Sequence, residues 1–165
     1  MQQLPERVDI IRAAHEGRAL IGTMPLGQFK RLKAQVRHLS GHLTAQLTID
    51  QDPQGIQYMH GELSASVILT CQRCMEAQTV DLSPAVSMAF IEQGASTDHL
   101  PEQYEPAIMI HGKVFLPDLL EDELLLALPM IPMHPLGCVP VHQESLDADL
   151  EPNPFAALVS LRNNK

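Results

Sequence analysis

The chain has no tryptophan, two tyrosines and four phenylalanines, so aromatic residues make up only 4% of its 165 positions. That scarcity argues against the base-stacking platforms that single-stranded RNA readers assemble from several rings. Long apolar runs are also missing. The longest, Leu124 to Met133, has ten residues and contains Pro129 and Pro132, whereas a membrane-spanning helix needs about 20. The opening residues, Met1-Gln-Gln-Leu-Pro-Glu-Arg7, lack the apolar core of a secretory signal. Without such a signal, an odd count of three cysteines argues against a disulfide framework. No glycine-rich phosphate loop, nucleophile elbow or zincin motif occurs. These absences lead us to expect a soluble, cytoplasmic, non-enzymatic protein without membrane contact.

What is present suits one globular domain over residues 1–165. The length is sufficient for a core without disulfides, and the apolar share of 45% is ordinary. Net charge is −9, but it is unevenly placed. Residues 1–37 carry seven basic groups (Arg7, Arg12, Arg18, Lys30, Arg31, Lys33, Arg37) against Glu6, Asp9 and Glu16, so this segment is +4 and the rest −13. An acidic body repels phosphate backbones and suits a basic protein partner. Any RNA contact is expected at Lys30, Arg31, Lys33 and Arg37, whose alternative role is a solvated helix face.

Val8 to Glu16 reads as a short helix ended by Gly17. Arg18 to Met24 reads as extended, and Leu26 to Leu32 as a helical turn or two. From His42 to Asp50, and again from Met59 to Cys71, apolar residues alternate with polar ones, the period of a half-buried strand. Val80, Leu82, Val86, Met88 and Phe90 extend the pattern into a third strand, where Pro84 signals a bulge or edge position. Connections this short imply antiparallel neighbours. A small hairpin is expected around Gly112-Lys113. Pro117 then opens a helix with Asp118, Glu121, Asp122 and Glu123 near its start and Leu119, Leu120, Leu124 and Ala127 on one stripe, ended by Pro129. Beyond an irregular stretch, Asn153-Pro154 is expected to cap a C-terminal helix. The class is α+β: an antiparallel β-meander, a partly open barrel-like sheet covered by short helices.

The sharpest chemical signal is Cys71-Gln-Arg-Cys74, on a turn between strands. Two thiolates at this spacing reach one tetrahedral Zn²⁺, and His134 with Cys138 offers a second pair, giving a candidate Cys₃His site. Two other readings stand beside it. Cys71 is a core residue and the other two are plain thiols, or the pair is a redox motif, for which a helix N-terminus is the usual setting. Arg73, on the same turn, is placed to bind a phosphate or a carboxylate, the blander option being an ion pair with Glu121 or Asp122. Consecutive helical carboxylates point about 100° apart, so Glu121, Asp122 and Glu123 do not converge as a catalytic group. They read as a solvated or partner-facing edge.

Taken in order, Cys71-Gln-Arg-Cys74, Leu100-Pro-Glu-Gln-Tyr-Glu-Pro106, Glu121-Asp-Glu-Leu-Leu-Leu-Ala-Leu-Pro129, Pro132-Met-His134, Cys138 and Asn153-Pro-Phe155 resemble the YceD family of large ribosomal RNA subunit accumulation proteins. The likeness runs from about Val8 to Arg162. It implies a bacterial cytoplasmic factor needed for synthesis, processing or stability of 23S ribosomal RNA, partnered by a ribosomal protein or a pre-ribosomal particle. Two alternatives are a precursor-rRNA processing enzyme and a zinc-stabilised interaction module unrelated to ribosomes. Many relatives look richer in cysteine after the Leu-Pro segment, where this chain keeps Cys138.

Overall fold

A computed structural model describes residues 2–97, 100–135 and 137–138. The expected C-terminal helix at Asn153-Pro154 lies outside the described residues. Along the chain run β1 (Arg7–Asp9), α1 (Ile10–His15), β2 (Arg18–Pro25), a 3₁₀ turn (Leu26–Gln28), α2 (Lys30–Gln35), β3 (His42–Gln51), β4 (Gln57–Thr70), β5 (Ala77–Leu82), β6 (Ala85–Glu92), β7 (Glu105–Met109), β8 (Lys113–Phe115) and α3 (Leu116–Leu126). The architecture is α+β, with an open six-stranded sheet ordered β2-β3-β4-β6-β7 and β5 on the far half of β4.

The alternation legible in the sequence sets this register. Leu43, Ala45, Leu47 and Ile49 of β3 and Met59, Leu63, Ala65, Val67 and Leu69 of β4 are buried on one face. Pro84 does not shift the third strand; it interrupts it. Glu62 pairs with Ala85 on one side of the break and Ala65 with Leu82 on the other, in one continuous register. Leu63 N–H donates to the Pro84 carbonyl at 3.0 Å, and proline has no N–H with which to return the bond. Gly61 sits where β3 and β4 approach closely. Its φ is +149°, and a Cβ there would lie 2.0 Å from the Gln46 carbonyl oxygen, so no other residue fits without moving backbone.

Two local expectations are corrected. Val8 does not begin a helix: Arg7–Asp9 is a strand paired with β8, and Asp9 caps α1 by accepting from Arg12 N–H at 3.0 Å. The Gly112-Lys113 turn exists, closed between Ile110 and Lys113 with left-handed φ at His111 and Gly112, but its arms diverge. One becomes β8 on β1, while β7 lies parallel to β6. The intervening residues 93–104 are long enough for the crossover that a parallel pair requires.

The helices pack on the buried face. α1 contributes Ile10, Ala13 and Ala14, α2 contributes Leu32, and α3 contributes Leu116, Leu120 and Leu124. Leu116 takes the place expected for Ala127, which is half-buried together with Leu119. No helix among the described residues is long and apolar enough to cross a membrane.

Candidate metal centre and charged clusters

At the end of β4 the chain turns tightly through Cys71 to Glu76. Met75 N–H donates to the Cys71 carbonyl and Cys71 N–H to the Glu76 carbonyl, both at 2.9 Å, with Met75 in the left-handed region at φ 63°. The turn folds Cys71 and Cys74 toward one another. After α3 the chain returns across this turn. Gln72 N–H donates to the Pro132 carbonyl at 2.8 Å, and the Gln78 amide donates to the Met133 carbonyl at 2.7 Å. Those two bonds deliver His134 and Cys138 to the turn.

Four ligand atoms, the Sγ of Cys71, Cys74 and Cys138 and a ring nitrogen of His134, lie within 4.8 Å of one another. Cys71 Sγ is 3.8 Å from Cys138 Sγ, and Cys74 Sγ is 3.3 Å from His134 Nδ1. A tetrahedron with metal–sulfur bonds near 2.3 Å has edges of about 3.8 Å, so the spacing is of the right size. His134 Nε2 lies 3.1 Å from the Ala77 carbonyl. Since a carbonyl only accepts, the proton belongs on Nε2, and the Nδ1 lone pair faces the sulfurs. This group can hold a metal ion. Four protein ligands would close the shell, the pattern of a structural site and not a catalytic one.

Arg73 belongs to the same cluster. Its Nε–H donates to Cys138 Sγ at 2.8 Å, and Nη2 reaches the carbonyls of His134 and Pro135 at 3.3 and 3.4 Å. It therefore does not make the ion pair with Glu121 or Asp122 considered above, which Arg31 makes instead. Cys71 is brought down to about 5. Burial opposes its ionisation, but the backbone N–H groups of Cys74, His134 and Arg73 stabilise the thiolate more. Cys74 moves up: the Glu76 N–H favours its thiolate, yet burial and the sulfurs of Cys71 and Cys138 outweigh it. His134 is raised by hydrogen bonds to Cys138 and Cys71. One thiolate is easy here, and a second beside it needs a cation.

The second cluster joins α2 to α3. Phe29, at the N-cap of α2, has no side chain able to cap it. Glu121 of α3 does this instead, its Oε1 accepting from Arg31 N–H at 2.6 Å and Leu32 N–H at 2.9 Å. Glu121 Oε2 accepts from Arg31 Nε at 3.0 Å, and Asp122 takes Nη1 of the same guanidinium. The expected edge of solvated or partner-facing carboxylates is thus corrected at Glu121, which is only 5% exposed. Arg31 is likewise tied up, so the expected basic patch reduces to Lys30, Lys33 and Arg37, all exposed. Arg37 leans on the cysteine turn, with Nη1 3.4 Å from the Met75 carbonyl.

One feature escaped the sequence reading. Tyr58 stacks on His60, with centroids 5.5 Å apart at 24°, and Tyr104 lies 5.4 Å from Tyr58. The i, i+2 spacing of Tyr58 and His60 on an alternating strand was a legible signal. The arrival of Tyr104 was not.

Comparison with known proteins gives a consistent result. The family model described as "Large ribosomal RNA subunit accumulation protein YceD" matches residues 59–162. The Large ribosomal RNA subunit accumulation protein YceD of Haemophilus influenzae is 33% identical over 168 residues, covering 97% of each chain. No solved structure was matched.

Proposed function

The chain belongs to the YceD family, and from that membership we propose that it is a cytoplasmic, non-enzymatic factor for accumulation of the large ribosomal subunit. It acts in the synthesis, processing or stability of 23S ribosomal RNA, by holding a ribosomal protein or a pre-ribosomal particle. The observation that carries this reading is the end-to-end relationship, 33% identity over 97% of both chains. The geometry supports a binding role. The carboxylates of Glu121 and Asp122 are engaged by Arg31, and the Cys₃His group would offer a metal no open coordination position.

The donor set suits Zn²⁺. Soft thiolates with one imidazole are zinc ligands by chemistry as well as spacing. Cys71, Cys74, Cys138 and His134 Nδ1 would hold it, and it would supply a structural clamp between the β4–β5 turn and the segment after α3. Three thiolates and a neutral imidazole leave such a centre with one negative charge, which the Arg73 guanidinium at 2.8 Å from Cys138 Sγ offsets. Where RNA is touched, Lys30, Lys33 and Arg37 carry the contact.

A deletion strain tests the main reading. We expect its sucrose gradients to show loss of mature large subunits and lowered 23S rRNA, restored by the wild-type gene. Normal gradients would overturn it, and cleavage of precursor rRNA by the purified protein would make it an enzyme. For the cationic patch, Lys30→Glu with Lys33→Glu and Arg37→Glu is expected to reduce RNA recovered with the tagged protein. Unchanged recovery would leave these residues as a solvated face.

A further inference from the structure

The six-stranded sheet has two unequal faces. Helices cover one. The other meets solvent at alternate positions along β2, β3, β4 and β5, and β7 continues it with Ile108, 60% exposed. The pairing registers fix which residues share that outer face. No lysine or arginine occupies any outward position across these strands, although the chain has eleven. Carboxylates do: Asp50 on β3, Glu62 on β4 and Asp81 on β5. Among the described residues, neither Asp50 nor Glu62 has a cation within ion-pair distance. The Tyr58, His60 and Tyr104 rings lie on the same face, with Asp50 paired directly opposite Tyr58. The Tyr58 hydroxyl is pushed up by burial first and then by Asp50.

We propose that this open sheet face is the docking surface for an arginine-bearing segment of a basic protein partner. A guanidinium lies flat on an aromatic ring while donating to a carboxylate, and a face bearing both groups with no competing lysine or arginine among the described residues accepts it twice over. RNA is the wrong occupant. Its phosphates would meet three carboxylates with no lysine or arginine beside them among the described residues of this face. Lys30 and Lys33 sit apart, on the helix whose Leu32 enters the core on the covered face. This deepens the proposed function by naming the partner's chemistry. The binding test below needs no ribosome, so its failure is separable from failure of the gradient experiment.

Fluorescence anisotropy of the full-length protein with three labelled probes tests it: a peptide alternating glycine with arginine, its lysine counterpart, and a single-stranded RNA oligonucleotide. The arginine peptide is expected to bind most tightly. Asp50→Asn with Glu62→Gln, which keeps strand shape, is expected to weaken it by about tenfold or more. Glu6→Gln with Asp118→Asn, the same charge change off this face, should alter it by no more than about twofold. Tyr58→Leu should erase the preference for arginine over lysine. Equal weakening by both double variants would reduce the effect to diffuse charge and overturn the proposal. So would equal affinity for the two peptides, or RNA binding that Tyr58→Leu abolishes.

Discussion

Two polar junctions fasten distant parts of this chain, and they are built on opposite principles. At the α2–α3 junction, donors meet acceptors: the N–H groups and guanidinium of Arg31 face the carboxylates of Glu121 and Asp122. At the cysteine turn, three sulfurs and an imidazole lone pair face each other, and Arg73 is the positive group the chain brings to them. The first junction is complete within the chain. The second is a set of electron-pair donors that a cation would complete. Polar clusters of similar size therefore have different dependences on their surroundings, and each can be broken separately.

The largest effect should come from beneath the first junction. Leu124 is fully buried under α3, and Leu124→Ala is expected to cost about 2–5 kcal/mol in denaturant unfolding through lost burial and a cavity. An unchanged midpoint would mean α3 is not seated on the core. Next comes the metal. Purified protein should carry close to one equivalent of Zn²⁺ by atomic emission, and chelation should lower Tm by about 10 °C through mass action. Cys74→Ser should abolish both the zinc and the response to chelator. Protein that melts identically with and without chelator would leave the cysteine turn held by hydrogen bonds alone.

Glu121→Ala probes the self-contained junction. It orphans the N–H groups of Arg31 and Leu32, so a loss of about 1–3 kcal/mol is expected, equal in zinc-loaded and chelated protein. A chelator-dependent loss would show that the two junctions are coupled. Asp122→Asn should do least. Its carboxylate is half-exposed, as is the Arg31 side chain, and an ion pair of that kind contributes roughly 0.5 kcal/mol, less in high salt.

The strands were readable because their side-chain period is two and one face is buried, so β3 and β4 announced both their location and their inward residues. The candidate site was readable in part. Cys71 and Cys74 declared themselves by spacing, whereas His134 and Cys138 could be nominated only as available donors. Nothing local shows that residues 128–138 return to the turn; the hydrogen bonds from Gln72 and Gln78 bring them there. The ion pairs went astray for the same reason. Arg31 and Arg73 look alike in sequence, and which one meets Glu121 depends on how α2 packs against α3.

By itself, then, the sequence determined the α+β class, the half-buried meander, the acidic body and the family, since these follow from periodicity, composition and motif order, which are properties of the chain read in line. Tertiary structure alone decided the parallel placement of β7, the pairing of Glu121 with Arg31 and not with Arg73, the burial of Glu121 and the lack of lysine and arginine at the outward strand positions of one sheet face. Each of those depends on which residues from distant segments share one small volume, and a linear pattern carries no record of that.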